Sequence, residues 1–495
     1  MAAAALLVLI IAAFITLLTV FKKLTRASRN LPPGSYGWPL LGETAEFLRA
    51  GLDGTPENFV RERAEKYKSQ VFKTWIMGEP MVVLCGAAAN KFLFSNENKL
   101  VTVWWPSSVR KLLGPCLATS GGEEGRQMRR VVSYFVSPDA FTRLYIKTMD
   151  LVAQKHIKTH WQSSGKDDDE VVEVRAFPTI KLYTFEVACR LLMSLEDGEQ
   201  IGRLATLFNV FLKGIISIPI NFPGARFYRA KRATSAIKNE LHKLVRERKC
   251  ALEQRTCAAA ALPADCQDLL SHLLVTPDEN GRFMPESVIV NNILMLLFAG
   301  HDTSSVAITM LLKNLAQFPD VYDKVLREQK EIASRKEEGG DEFLQWEDIQ
   351  KMKYSWNVVC ETTRLSPPVI GAFREALTDI TYVGYHIPKG WKLFWSSSYT
   401  HLDPSLFDNC MKFDPSRFEE GGGPPPFSYV PFGGGPRMCL GKEFARVEIL
   451  IFLHNLITRF RWKLVNPHEK IAYDPMPTPL QGLPILLRPH VNVNV

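Results

Sequence analysis

Read for alternation of apolar and polar side chains, the chain is dominated by helical spacing. Between Ser287 and Ala316, apolar residues from Val288 to Leu312 fall on nearly every face, the pattern of a helix buried on most sides. Lys442 to Leu453 and Tyr354 to Arg364 predict two further helices. Strand signals are fewer. Val71 to Ile76 and Met81 to Leu84, with Met77-Gly78-Glu79-Pro80 between them, predict a hairpin. A second is predicted over Tyr382 to Phe394, turning at Pro388-Lys389-Gly390. Gly165 to Glu170, Glu337 to Glu342 and Glu419 to Pro426 have no apolar period and predict surface loops. The class is therefore mostly α with small β-sheets, and no internal repeat is visible.

The amino end departs from this pattern. Residues 1–21 carry no charged side chain, and Ala2 to Phe21 supplies about the 20 apolar residues a membrane-spanning helix needs. Lys22, Lys23, Arg26 and Arg29 follow at once. A cleaved secretory signal normally carries its positive charge before the apolar run. Charge after the run instead predicts an uncleaved anchor, with the bulk of the chain on the cytosolic side. Leu31-Pro32-Pro33-Gly34 cannot continue a helix. The expected organisation is an anchor at 1–21, a basic and proline-rich hinge at 22–36, and one catalytic domain at 37–495.

Composition narrows the class without naming a chemistry. Apolar residues make up 46% and charged residues 23% of 495, values of a globular protein large enough to enclose a cofactor. A formal charge of +8 is modest for this length, and no basic stripe with interleaved aromatics is present, so no nucleic-acid partner is expected. The nine cysteines form no C-x-x-C pair, which argues against a zinc site or a disulfide framework and fits reducing surroundings. Asp167-Asp168-Asp169 reads as a solvated loop.

Two local conflicts with good folding carry the chemistry. Gly433-Gly434-Gly435 permits positive φ and close backbone approach, and Cys439 follows just before a predicted helix. A helix N-terminus, its N–H groups and the nearby cation Arg437 favour thiolate, the form that binds metals. A dinucleotide loop is excluded, because the position of Met438 would have to be glycine. The second conflict is Ala299-Gly300-His301-Asp302-Thr303-Ser304-Ser305, inside the buried helix. Glycine there costs about 1 kcal/mol against alanine, and buried hydroxyls and a carboxylate need partners. Such conflicts often mark functional sites.

Phe432, Gly435, Arg437, Cys439 and Gly441 resemble, at each fixed position, the haem-binding signature of the haem-thiolate monooxygenases, the cytochrome P450 superfamily. The resemblance implies that fold, haem b as cofactor and Cys439 as axial ligand of its iron. It also implies an oxygen-binding groove at Asp302 and Thr303. Thr303 would hydrogen-bond dioxygen or a water beside it, and Asp302 would help relay protons. Glu361, Arg364 and Arg417 would form a buried network under the haem. Arg437, Arg374 and Arg129 would meet the haem propionates. The family's tryptophan four residues before that last arginine is Gly125 here, which leaves a contact to be supplied elsewhere.

Lys91 to Thr102, Asp320 to Lys324 and Gly390 to Leu393 look like the plant branch that oxidises pentacyclic triterpenes, with taxoid hydroxylases as relatives. That implies plant specialised metabolism, with O2-dependent oxidation of a terpenoid such as beta-amyrin, once or successively. A diterpenoid or sterol is the alternative. The substrate pocket is expected around Trp105, Leu297, Val369 and Leu483, and Trp104 with Trp105 as its roof. Phe208 to Phe222 matches the family's membrane-facing access segment. No flavin or nicotinamide domain is visible, so NADPH acts through a separate cytochrome P450 reductase at the endoplasmic reticulum membrane. Two rivals keep the haem but not the reaction: an isomerase, which commonly lacks the acid-threonine pair, and an electron carrier, which would need a second axial ligand.

Overall fold

The computed structural model describes residues 30–490 apart from 40, 137–139, 163–170, 257–267, 278–280, 341 and 420. The expected anchor, most of the hinge and the Asp167-Asp168-Asp169 loop lie outside the described residues. The first helices and strands are α1 (Thr44–Leu52), α2 (Pro56–Tyr67), β1 (Val71–Ile76), β2 (Glu79–Leu84), α3 (Gly86–Ser95), β3 (Val101–Val103), α4 (Ser107–Leu113) and α5 (Gly122–Phe135). A π-helical turn at Phe141–Tyr145 leads into α6 (Ile146–His160), followed by β4 (Val172–Arg175), α7 (Ala176–Met193), α8 (Gly198–Ile215), α9 (Arg226–Thr256) and α10 (Leu269–Val275). Then come α11 (Glu286–Gln317), α12 (Pro319–Gly339), α13 (Trp346–Lys351) and α14 (Lys353–Leu365). The last part holds β5 (Gly371–Ala376), β6 (Ile380–Tyr382), β7 (Tyr385–Ile387), β8 (Lys392–Ser396), α15 (Ser397–His401), α16 (Lys442–Ile457), β9 (Phe460–Leu464), β10 (Ile471–Tyr473), β11 (Pro477–Pro479) and β12 (Pro484–Pro489).

The mostly helical class is as expected, and the strands gather into small sheets. The largest has five strands in the order β1-β2-β8-β5-β3. Its β1–β2 hairpin turns on Met77 and Gly78, with φ of 56° and 82°. Positive φ at both central residues matches the twist of paired strands, so β2 begins at Glu79 rather than at Met81. The second expected hairpin is likewise tighter than its sequence suggests. Val383 and Gly384 turn β6 into β7, again with positive φ at both, 49° and 79°. Pro388-Lys389-Gly390 instead carries the chain from that hairpin to β8, which runs parallel to β2 and antiparallel to β5. The loop expected from Glu337 begins late, since α12 continues to Gly339.

The helical layer is organised around α11. It runs unbroken for 32 residues through Gly300, and Leu294, Leu297, Ile308 and Leu311 are fully buried along it. Each such side chain contributes roughly 1.5–3 kcal/mol relative to exposure, enough to carry one glycine. It packs against α7, α9 and α16. It is the one helix among the described residues long and apolar enough to cross a membrane, and most of it lies inside the protein. No disulfide joins the described cysteines, which are all free.

Candidate functional site

The cysteine loop is pressed against α3. A Cβ on Gly435 would stand 2.4 Å from the Phe94 carbonyl oxygen, and φ there is +63°, so only glycine fits without strain. The Cys439 N–H donates to the Phe432 carbonyl at 2.9 Å, which closes the loop. Gly441 caps the start of α16. Cys439 keeps exposed surface, yet the protein around its sulfur desolvates it and raises its thiol above the usual cysteine range. The sulfur therefore opens onto a recess. The Gly441 N–H pulls the other way, and the cation felt by the sulfur is Arg129 rather than Arg437.

Arg437 is directed elsewhere. Its Nη1 donates to the Leu117 carbonyl at 3.1 Å, Nη2 donates to the Ser120 carbonyl, and Nε lies 3.6 Å from Glu97 Oε1. Gly125 explains the missing tryptophan. A Cβ there would sit 2.4 Å from the Ser120 oxygen and 3.1 Å from Arg437 Nη2, so the arginine fills the neighbouring space. Arg129 Nη2 donates to the Met438 carbonyl at 2.6 Å. Arg374 Nε donates to Glu97 Oε2 at 2.6 Å. All three expected arginines thus converge beside the cysteine loop, around an acid that periodicity and motif did not single out.

In the middle of α11, Ala299 is exposed and Gly300 and Thr303 are half-buried, although the helix on either side is buried. A Cβ on Gly300 would meet nothing within 4 Å. The helix therefore opens onto free space at this turn. Thr303 Oγ1 donates to the Ala299 carbonyl at 2.7 Å, which leaves the oxygen's lone pairs to accept. Asp302 faces differently: its Oδ1 is 2.7 Å from Lys181 Nζ on α7, and both line a cavity of about 490 Å³ with Phe177, His301, Asn209 and Met476. The sequence held no signal for Lys181, because a lysine on an amphipathic helix is ordinarily solvated. His301 is buried, its Nδ1–H donates to the Leu297 carbonyl at 2.6 Å, and desolvation lowers it to about 4. It stays neutral near pH 7 and is a packing residue between Phe185 and Phe208.

The pair with weak spacing evidence is the best determined feature of the region. Glu361 and Arg364 are both 0% exposed at their side chains. Arg364 donates Nε and Nη2 to the two oxygens of Glu361 at 2.7 and 2.8 Å, and Nη1 to the His401 and Cys410 carbonyls. Arg417 Nε lies 3.4 Å from Glu361 Oε1, and the Asp414 N–H donates to the same oxygen. Every nitrogen of Arg364 is used, so this bidentate pair ties α14 to the segment that leads into the cysteine loop.

The expected pocket residues separate. Leu297 and Leu483 are fully buried in the main core. Val369 is exposed, and Trp105 is half-buried with its indole N–H on the Ala118 carbonyl at 2.9 Å. Trp104 is buried edge-on to Phe373 in the core of the five-stranded sheet. The apolar stretch at Phe208–Phe222 also divides: Phe208 and Phe211 are core, whereas Ile218, Ile220 and Phe222 are 60%, 53% and 70% exposed.

These residues fit the expected haem. Cys439 presents a sulfur to a recess, and α11 leaves an opening beside Gly300. Arg129, Arg374 and Arg437 gather three cations around Glu97 and the Cys439 sulfur, which leaves positive charge for the haem carboxylates. Burying such charge without a counter-charge is unfavourable.

Comparison with known proteins extends the picture to the whole chain. A family model described as Cytochrome P450 matches residues 32–485. A beta-amyrin 28-monooxygenase from Saponaria officinalis is 51% identical over 462 residues, covering 93% of this chain and 92% of the relative. A beta-amyrin 28-monooxygenase from Medicago truncatula is 50% identical over 477 residues, 96% of each. Among solved structures, retinoic acid bound cyanobacterial CYP120A1 superposes with a TM-score of 0.81 at 34% identity, covering 94% of this chain and 100% of that one.

Proposed function

The chain belongs to the cytochrome P450 family, and we propose that it oxidises an unactivated carbon of a pentacyclic triterpene, with beta-amyrin as substrate and its carbon 28 as the position attacked. The observation that carries this reading is identity of about half the residues to several enzymes named for that reaction, over nine-tenths of the chain. Haem, when bound, supplies the centre at which dioxygen is activated with two electrons and two protons.

The chain's own residues divide the remaining work. Cys439 would hold the haem iron through its sulfur, Phe432 and Gly441 would set its loop, and Arg129, Arg374 and Arg437 would hold the haem carboxylates. Thr303, whose hydrogen is committed to the Ala299 carbonyl, offers a lone pair to a proton-bearing group in the opening of α11. Asp302 stands one residue away on the side of the Lys181 cavity. A proton passing between water in that cavity and the opening travels around the helix through this acid, so the pair separates proton supply from the apolar substrate.

The membrane reading rests on the sequence and on one surface. The apolar run at 1–21, followed by basic residues, supports an uncleaved single-pass anchor in the endoplasmic reticulum with the domain in the cytosol. The exposed Ile218, Ile220 and Phe222 after α8 fit immersion in a bilayer, the source of an apolar substrate. Electrons come from NADPH through a separate cytochrome P450 reductase.

Co-expression with a plant reductase in yeast strains that make beta-amyrin, alpha-amyrin, lupeol or taxadiene tests this. The expected result is beta-amyrin carrying added oxygen, placed at carbon 28 by NMR. Oxidation of taxadiene alone, or no triterpene product from protein with an intact thiolate carbon-monoxide spectrum, overturns the substrate reading.

A further inference from the structure

Glu97 follows α3 and is 5% exposed. Its carboxylate lies between two guanidinium groups brought together from β5 and the cysteine loop. Arg374 approaches Oε2 through Nε at 2.6 Å, and Arg437 approaches Oε1 through Nε at 3.6 Å. Oε1 accepts no hydrogen bond.

The other nitrogens show what this arrangement does. Arg437 spends Nη1 and Nη2 on the Leu117 and Ser120 carbonyls. Arg374 spends Nη1 on the Phe373 carbonyl at 2.8 Å, which leaves Nη2 for an acceptor outside the protein. One carboxylate therefore holds the Arg374 fork by its Nε edge and stands as counter-charge beside the Nε of Arg437. It also acts on Arg129, which the Cys439 sulfur faces as well, so Glu97 offsets part of a cluster of three cations.

We propose that Glu97 is a positioning residue for the haem: it fixes the Arg374 fork by its Nε edge, stands as counter-charge beside Arg437, and lowers the positive charge of the cluster that faces the haem carboxylates. The proposal rests on the haem-thiolate reading of the site. A buried charge beside a redox centre shifts its potential, because the protein's net charge there is one of the levers on that quantity. Removing the negative charge of Glu97 leaves an uncompensated cation and favours the reduced iron.

The test uses the full-length, haem-loaded protein and its Glu97→Gln and Glu97→Asp variants. Reduction potential is read by spectroelectrochemical titration, and haem retention by the rate of transfer to apomyoglobin. Glu97→Gln is expected to move the potential positive and to speed haem transfer about tenfold, the scale of losing a charge-assisted hydrogen bond. Glu97→Asp, which keeps the charge, is expected to restore the potential. A potential in Glu97→Gln equal to wild type overturns the proposal.

If Glu97→Gln yields no haem protein, Arg374→Lys is read instead. Lysine keeps the charge but not the fork, so faster haem transfer at unchanged potential supports the proposal and an unchanged transfer rate overturns it. A wild-type protein without the thiolate carbon-monoxide spectrum would signal failure of the haem reading itself.

Discussion

Lys181 Nζ stands 2.7 Å from Asp302 Oδ1, and the two side chains are only 19% and 7% exposed. The acid expected to act in the oxygen groove is thus held by a cation from a different helix. The strength of such a pair lies between the surface and fully buried limits, about 2 kcal/mol.

Lys181→Met should therefore lower the stability of the haem protein by about 2 kcal/mol, since it leaves a carboxylate without its cation. Asp302→Asn should instead keep the fold and the haem but slow product formation by about a hundredfold, the low end for a lost proton-transfer group. Thermal unfolding and single-substrate turnover, measured on both variants, separate these effects. Equal turnover in Asp302→Asn and wild type would remove Asp302 from the proton route.

Thr303→Ala should leave haem binding intact while diverting electrons from product to hydrogen peroxide, because the accepting oxygen in the opening is lost. Thr303→Ser should recover most of the coupling, since serine can donate to the same Ala299 carbonyl. The ratio of peroxide to product per NADPH consumed measures this. Full coupling in the alanine variant would contradict the assigned role.

The buried helix, the cysteine loop and the Glu361–Arg364 pair were legible in the sequence because each rests on local pattern: periodicity, glycine placement and a one-turn spacing. What escaped depends on contacts far apart in the chain. Lys181 on α7 and Glu97 just after α3 are ordinary polar residues until those segments pack beside α11 and the loop. Arg437 is near the sulfur in sequence, but Gly125 leaves a space in which its guanidinium turns toward Ser120. Leu297 and Leu483 are core residues whose apolarity, a property that core and pocket share, does not tell the two apart. The first hairpin turns at Met77 and Gly78, inside the segment the sequence marks, whereas the second turns at Val383 and Gly384 rather than at Pro388-Lys389-Gly390.

Arg364→Ala should destabilise the protein by roughly 3–5 kcal/mol, because it strands the fully buried Glu361 and frees the carbonyls of His401 and Cys410. Arg364→Lys should recover little, since an ammonium cannot serve both carboxylate oxygens and those carbonyls. Denaturant unfolding of the haem-loaded variants provides the check, and lysine matching arginine would show the fork geometry to be unimportant.

Glu448, fully buried on α16, gives a pH dependence of definite sign. Burial pushes its carboxyl from 4.5 up to about 8, against a smaller opposing pull from Ser304. A raised folded-state value means that the folded protein holds this proton more tightly than the unfolded chain. The associated stability is fully present below pH 4.5 and is lost as pH rises through about 8. Glu448→Gln should flatten the unfolding temperature across that window and exceed wild type above it. Parallel slopes for the two proteins would assign the pH dependence to other groups.

The backbone just before the domain is fastened to the sheet. The Lys73 N–H donates to the Pro33 carbonyl at 2.8 Å, and the His386 N–H donates to the Asn30 carbonyl at 2.8 Å. The Lys73 ammonium also donates to the Pro32 carbonyl at 2.9 Å. With the proposed anchor ending at Phe21, eight residues separate it from this attachment, a tether of at most about 28 Å even if fully extended. Such an anchor would moor the domain close to the bilayer, like a boat on a short line. The domain could then tilt but not swing away, so its search for a lipid-dissolved substrate and for a membrane-bound reductase would be confined to a plane.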